Sequence, residues 1–271
     1  MDWAEVGTLV ALLAAGALLS GFLAGLLGIG GGAVTVPVLY QVLTVLDVAP
    51  DNRMQIAVGT SLALIIPTSI RSLRAHMARG AVDTVLLKQW IVTVPLGAVL
   101  GGAVANLLPS EVLEAIFAAI ALVLGVRMLI GRLPFMLGSD LPGRVGRTVA
   151  GLVIGALSAI MGIGGGVLNN TFMTLYGRSM HQAVATSAGV GVLIAVPGVV
   201  PFLVGGWGHS GLPPFNLGNV SLAALAILIP LSMPTVRLGA TLAHRLTKRQ
   251  LEVGFGLFLL TVSIRFMIGA L

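Results

Sequence analysis

The sequence contains the motif GIGGG twice, at residues 28–32 and 162–166, and both copies could bind an anion. Glycine leaves the backbone N–H groups accessible and allows a ligand to approach closely. Each copy precedes a short apolar segment that predicts a helix, and a helix N-terminus carries roughly +0.5 charge. Two such N-termini that face each other would bind a small anion without a charged side chain. The predicted binding glycines are Gly28, Gly30, Gly31, Gly32, Gly162, Gly164, Gly165 and Gly166.

Polar side chains near the two motifs extend the predicted site. Hydroxyl residues occupy matching positions in two parts of the chain, and two adjacent amides follow the second motif. Hydroxyls in membrane helices often bond a carbonyl one turn earlier, so a structural role also stays open for them. Arg237 could pair with an oxyanion through its planar donors, or it could extend to the lipid headgroups. These candidates are Thr60, Ser61, Asn169, Asn170, Thr186, Ser187 and Arg237.

Other kinds of chemistry have less support. The absence of cysteine excludes thiolate metal sites and cysteine nucleophiles, and no G-x-S-x-G motif indicates a hydrolase. Among the histidines, which fall in or near loops, His181 is the best placed to carry a coupling proton. Glu111, Glu114 and Glu252 fall in first helical turns, where the helix dipole stabilises them, and no carboxylate is expected in mid-helix. We therefore predict no enzyme, metal or cofactor, and a coupling proton is left open.

The composition predicts an all-α polytopic membrane protein. Hydrophobic residues make up 57% of the chain and charged residues 9%. A crossing needs about 20 mostly apolar residues. Apolar blocks of roughly this kind occur at 6–27, 55–70, 85–108, 112–130, 149–161, 183–204, 220–242 and 251–267.

Two further apolar segments, 33–46 and 167–176, follow the GIGGG motifs and are shorter. At ~1.5 Å per residue these helices would be about 21 Å and 15 Å long, which is too short for a ~30 Å hydrocarbon core. Each motif is therefore predicted to be the tip of a hairpin, a re-entrant or broken helix that turns within the membrane.

Internal similarity divides the chain into two halves. Residues 54–61 (MQIAVGTS) resemble residues 180–187 (MHQAVATS), in the same order relative to the GIGGG motifs. We predict a first repeat over 1–131, a cytoplasmic linker over 132–147 and a second repeat over 148–271. Each repeat would contain about four spanning helices and one short helix after its motif.

The positions of the charges predict that the two halves are inverted relative to each other. The loop after residues 55–70 is basic, whereas its counterpart at 205–216 contains no Lys or Arg. The turn at 108–111 is acidic, whereas its counterpart at 244–250 is basic. Because positive loops face the cytoplasm, equivalent loops of opposite charge predict the inverted repeat of many secondary transporters.

The net charge of +6 does not indicate nucleic-acid binding, because the basic residues lie beside helix ends and no aromatic residues are interleaved with them. The N-terminal segment lacks the basic start of a cleaved signal peptide, so the first apolar block is expected to be retained. The lipid bilayer is therefore the expected surroundings of the whole chain.

The sequence resembles the sulfite exporter TauE/SafE family of bacterial membrane permeases. The resemblance covers almost the whole chain and depends on residues 25–37 (GLLGIGGGAVTVP), 57–62 (AVGTSL), 162–166, 185–187 and 239–246 (GATLAHRL). It implies secondary transport, most often export, of sulfite, organosulfonates or related sulfur-containing anions across the bacterial inner membrane. The second half has Thr171 where the first has Pro37, and it adds Asn169 and Asn170, so the particular substrate stays open.

The residues and the resemblance together predict a secondary transporter with alternating access. The anion would be held at the midplane by the two glycine-rich helix N-termini, and one half would rock against the other. A passive anion channel, or a permease for another small anion, is the alternative. Saturable exchange of labelled anion would favour the transporter, and linear conductance would favour the channel.

Overall fold

The computed structural model describes residues 3–27, 32–45, 47–131, 137–208, 211–243 and 247–269. The side chains of residues 3–6, 8, 9, 12, 23–27, 237, 239–241, 243, 248, 251 and 269 are outside this description. Gly28, Gly30 and Gly31, together with residues 132–136 of the predicted linker, lie outside the described residues.

The described chain is mostly helical, as the composition predicts. The helices are α1 (Trp3–Leu27), α2 (Gly32–Val45), α3 (Arg53–Met77), α4 (Thr84–Trp90), α5 (Thr93–Leu107), α6 (Ser110–Ile130), α7 (Arg144–Ile160), α8 (Gly166–Leu175), α9 (Met180–Gly205), α10 (Leu222–Ala243) and α11 (Lys248–Gly269). A single 3₁₀ turn, Pro50–Asn52, precedes α3 among these elements. Each predicted apolar block overlaps one of these helices or, for residues 85–108, the α4–α5 pair.

Several helices are long and apolar enough to cross a bilayer. Among the described residues these are Pro50–Met77, Ser110–Ile130 and Met180–Gly205. The pair α4–α5 passes the same test as one span with a 51° bend. The helices α1, α10 and α11 contain side chains outside the description. Length and hydropathy therefore agree with a multi-pass membrane protein.

The core is formed by four main pairs of helices. Helix α1 packs against α10, α5 against α7, α3 against α9, and α6 against α11. Small residues allow this close approach. A β-carbon at Gly97 or Gly101 of α5 would collide with the backbone of α7, and one at Gly155 of α7 would collide with α5. In the α6–α11 pair, Gly125 and Gly256 each face the other's carbonyl oxygen, so their backbones are in contact.

Helices α7 and α8 form a hairpin whose two open ends lie side by side. The N–H of Leu137, which precedes α7, donates to the carbonyl of Leu175 at the end of α8, with a distance of 2.9 Å. Arg178, just after α8, forms a salt bridge of 2.8 Å with Asp140. Helix α8 therefore runs back toward the level at which α7 starts.

One short feature departs from an all-α chain. The strands β1 (Asn216–Leu217) and β2 (Val220–Ser221) form an antiparallel pair before α10. The turn between them contains Gly218 with φ +57°, a conformation that suits glycine. Residues 220 and 221, predicted as the start of a helical block, are instead extended, because they pair with β1.

Candidate functional site

The second GIGGG motif interrupts the helical chain. Helix α7 ends at Ile160, and α8 begins at Gly166. Gly162 and Gly165 have φ values of +65° and +72°, in the left-handed region that side chains disfavour. The N–H of Ile163 donates to the carbonyl of Ser158 at 2.9 Å, which holds the turn. The motif is therefore a tight turn between two helices, with all four of its predicted binding glycines buried.

This turn presents the N-terminus of α8. Gly165 precedes the helix and supplies no side-chain cap. The N–H of Asn169 donates to the carbonyl of Gly165 at 2.8 Å. The amides before Asn169 in the first turn, those of residues 166–168, therefore have no acceptor within the helix. Their partial positive charge is directed into the protein interior.

An unpaired hydroxyl lies beside this N-terminus. The Oγ atom of Ser158 has no hydrogen-bond partner among the described residues, and the residue is fully buried. A β-carbon built on Gly165 would lie 3.7 Å from this atom. Buried polar side chains are bonded in the large majority of cases, so an unpaired donor next to free amides marks a place that a ligand could occupy. The sequence analysis did not identify Ser158, because a serine in a small-residue run has no distinctive signal.

The first motif meets the second at Gly32. This residue begins α2 and is buried. A β-carbon at Gly32 would collide with the carbonyl oxygen of Gly162 and lie 3.0 Å from the α-carbon of Ile163. The start of α2 and the turn before α8 are thus in backbone contact.

Ser61 joins this contact from α3. Its hydroxyl donates to the carbonyl oxygen of Gly162 at 2.8 Å, and the residue is fully buried. Gly32, Ser61 and Gly162, three of the predicted binding residues, therefore lie in contact.

Thr60 and Thr186 accept hydrogen bonds from the backbone of segments that precede other helices. The hydroxyl of Thr60 accepts from the backbone N–H of Ser221, and that of Thr186 accepts from the N–H of Asp83, both at 2.9 Å. Asp83 in turn caps α4 by accepting from the N–H of Leu86 at 3.0 Å. Thr60 thus holds the backbone segment that enters α10, and Thr186 holds the one that enters α4. The two threonines occupy matching positions in the similar segments 54–61 and 180–187.

The remaining polar candidates form one network between α8 and α9. The amide Nδ2 of Asn169 donates to Oγ of Ser187 at 2.7 Å, and that hydroxyl donates to Oδ1 of Asn170 at 2.7 Å. The Oδ1 atom of Asn169 is buried without a partner among the described residues. Ser187 therefore fixes the orientation of both amides. The side chain of Arg237, on α10, is outside the description, so its predicted role stays a prediction.

A groove lies beside this site. It has a volume of about 570 Å³ and is bounded by α7, α8 and the chain before α7. Its lining is mostly apolar, with Val153, Leu157 and Phe172 among the residues, and it contains none of the predicted binding residues. Among the described residues, no group of three His, Asp or Glu side chains could hold a metal ion.

Helix α6 carries two polar contacts that sequence reasoning missed. Glu114 is only 3% exposed, and its Oε2 accepts from the hydroxyl of Tyr40 on α2 at 2.7 Å. Near the other end of α6, Arg127 donates to Oγ1 of Thr171 on α8, also at 2.7 Å. The sequence analysis placed Glu114 in a first helical turn, but α6 begins at Ser110 and its first-turn acid is Glu111. Glu114 lies further along the helix, where Tyr40 of α2 and the packing of α11 on α6 cover it.

Comparisons with known proteins agree with this architecture. A family model described as sulfite exporter TauE/SafE matches residues 12–266. The chain is 34% identical over 246 residues to a probable membrane transporter protein of Haemophilus influenzae, covering 91% of this chain and 93% of that protein. It is 25% identical over 242 residues to another of Methanocaldococcus jannaschii, covering 86% of each. No solved structure matches the chain.

These relatives are named as transporters and not as enzymes, and the family match extends over nearly the whole chain, including both GIGGG motifs. The apolar helices described above are those of a multi-pass membrane protein. The chain is therefore a membrane transporter, and it belongs to the sulfite exporter TauE/SafE family.

Proposed function

We propose that the protein is a secondary transporter that exports sulfite, an organosulfonate or a related small sulfur oxyanion across the bacterial inner membrane. The observation that carries the proposal is the buried, uncapped N-terminus of α8, which has the unpaired hydroxyl of Ser158 beside it. Amide and hydroxyl donors in a site without water bind an oxyanion through several hydrogen bonds at once. The family relationship agrees with this substrate class.

The substrate would bind between the two hairpin tips. The first residue of α2, Gly32, contributes the opposite wall, and Ser61 and Gly162 lie at the seam between them. The network of Asn169, Asn170 and Ser187 sets the position of α8 relative to α9. Gly28, Gly30, Gly31 and Arg237 stay predicted members of this site.

The helix pairing supports an inverted repeat. The first helix of each proposed half packs against the fourth apolar segment of the other half, counting the short helix after the motif, in the pairs α1–α10 and α7–α5. The central pairs α3–α9 and α6–α11 join equivalent helices. A two-fold axis between residues 1–131 and 148–271 would produce this pattern. With the α7–α8 hairpin entering and leaving at one side, the basic loops would all lie in the cytoplasm.

Contact between the tips favours a carrier over a passive channel. Backbone packing of Gly32 on Gly162 leaves no room for an ion to pass between these two residues. Transport would therefore need the halves to move apart and to close again on the other side, which is alternating access.

Counterflow in proteoliposomes tests this function. Vesicles loaded with unlabelled sulfite should accumulate labelled sulfite transiently, with a rate that saturates as the concentration rises. The same vesicles would then be tested with taurine, methanesulfonate, thiosulfate, sulfate and acetate as competitors, and sulfur oxyanions should compete best. A current that rises linearly with concentration and shows no counterflow would instead identify a channel, and competition by acetate alone would overturn the substrate class.

A further inference from the structure

Side chains of α6 form hydrogen bonds with α2 and with α8, the two helices that follow the GIGGG motifs. At one end Glu114 accepts from Tyr40 on α2, and toward the other end Arg127 donates to Thr171 on α8. These contacts lie outside the proposed anion site. The α2 contact is the one that involves a buried carboxylate, and a carboxylate can exchange a proton with water.

The surroundings of Glu114 are mostly apolar. The ring of Tyr40 packs on Phe266 with ring centres 4.9 Å apart, and Phe266 packs on Phe117 at 5.4 Å. The charged residues that influence Glu114 are Glu111 on its own helix, Arg53 at the start of α3, and Arg265 on α11.

These charges compensate Glu114 incompletely. Arg53 is already engaged by Asp47 and by the carbonyl of Val48. Arg265 is exposed to the surroundings, and Glu111 repels a second negative charge. The ionised form of Glu114 therefore depends on the hydrogen bond from Tyr40, since burying a carboxylate without partners is costly.

The pair occurs in one half of the chain. Counted from the GIGGG motifs, the position of Tyr40 corresponds to Thr174, whose hydroxyl donates to the carbonyl of Asn170 within its own helix at 2.7 Å. When Leu113-Glu114 is matched with Leu251-Glu252, the position of Glu114 corresponds to Glu252, whose side chain is 21% exposed. A carboxylate–phenol contact is therefore not required by the repeated fold.

Helix α2 connects this pair to the anion site. It begins at Gly32, against the carbonyl of Gly162, and it carries Tyr40 about two turns later, on one continuous helix. Because Gly32 is in contact with Gly162, an anion that bound between the tips as proposed above would displace the start of α2. A displacement of α2 as a unit would withdraw the hydroxyl of Tyr40 from Glu114.

We propose that Glu114 is a proton-binding site whose occupancy is coupled to the anion through α2, an inference that rests on the transport function proposed above. When the tips are closed, Tyr40 donates to the ionised carboxylate. When an anion separates them, the carboxylate loses this donor and takes one proton from water onto an oxygen, while Tyr40 keeps its own. Linkage is reciprocal, so the same coupling makes protonation of Glu114 favour anion binding.

Proton uptake on binding tests the coupling directly. Purified protein in weakly buffered detergent solution, with a pH-indicator dye, would be mixed with saturating methanesulfonate, whose sulfonate group stays ionised near neutral pH. We expect uptake of about one proton per anion bound by the wild-type protein. Binding itself would be measured separately, by thermal stabilisation with the same anion.

Two variants and one control identify the group. Glu114→Gln should still bind methanesulfonate but take up almost no proton, because its amide cannot titrate. Tyr40→Phe keeps the aromatic packing and removes the donor, so uptake should fall below the wild-type value. Asp51→Asn, at an exposed position and not among the charges that influence Glu114, should match the wild type.

The outcomes separate the two proposals. A wild-type protein that binds the anion without proton uptake, or a Glu114→Gln variant that binds it with full uptake, overturns the coupling and leaves the transport function standing. If neither methanesulfonate nor any other sulfur oxyanion binds or is transported, the proposed function fails, and the coupling fails with it. Should Glu114→Gln aggregate, the wild-type stoichiometry and Tyr40→Phe decide the question.

Discussion

Gly32 and Gly162 are in backbone contact although 130 positions separate them in the sequence, since a β-carbon on Gly32 would collide with the carbonyl oxygen of Gly162. The contact brings the start of α2 to the turn before α8, which is the point at which a substrate would have to enter. Ser61 on α3 donates to the same carbonyl oxygen at 2.8 Å. Helices α2 and α3 and the turn before α8 therefore meet at this one atom. Substitutions around it therefore give the most direct tests of the site.

Gly32→Ala should disrupt the seam between the tips. The added methyl group meets backbone, which cannot rotate away, and overpacking of this kind costs about 1–3 kcal/mol. We expect a lower melting temperature in detergent and loss of counterflow in proteoliposomes. Gly254→Ala on α11 is the matched control, because nothing lies within 4 Å of its β-carbon position. Equal behaviour of the two variants would contradict the contact.

Ser61→Ala should destabilise the turn before α8. The substitution leaves the buried carbonyl of Gly162 without its side-chain donor, at a cost of about 1–3 kcal/mol. Thr68→Ala on the same helix is the control, since the hydroxyl of Thr68 bonds only to carbonyls of its own helix. The melting temperatures of the two variants should differ clearly, and an unchanged value for Ser61→Ala would refute the role of this hydroxyl.

Ser158→Ala should separate ligand binding from stability. The hydroxyl has no partner among the described residues, so its removal should leave the melting temperature without anion unchanged or slightly raised. Loss of one hydrogen bond to a charged ligand costs about 1.5–3 kcal/mol, which corresponds to roughly ten- to hundred-fold weaker binding. The measurement is the concentration of sulfite or methanesulfonate needed for thermal stabilisation. Unaltered anion affinity would remove Ser158 from the site.

Thr60→Val and Thr186→Val should have similar effects in the two halves. Each leaves one backbone N–H without its acceptor, that of Ser221 or that of Asp83, and should cost about 1–3 kcal/mol. Hydrogen exchange should accelerate locally, around 219–222 in the first variant and around 83–86 in the second. Thr261→Val, at an exposed position, should change neither segment. Faster exchange in the opposite segment, or in none, would show that these threonines do not hold the loops.

The sequence by itself determined the helical membrane class and the position of the helix break at 161–165. A continuous apolar run of about 20 residues crosses a bilayer as a helix, because a helix bonds its backbone groups within the segment. Gly162 and Gly165 adopt positive φ because glycine has no side chain, which is a property of the residue itself. Such properties can be read from composition and spacing without knowing what packs where.

Only the tertiary structure decided which polar groups meet. Thr60 and Ser61 are neighbours in sequence, yet the first accepts from Ser221 and the second donates to Gly162. Glu114 looks like an ordinary first-turn acid, but α2 covers it with Tyr40. Partners that lie far apart in the chain are selected by helix packing, since the direction of a side chain fixes its face and not its neighbour.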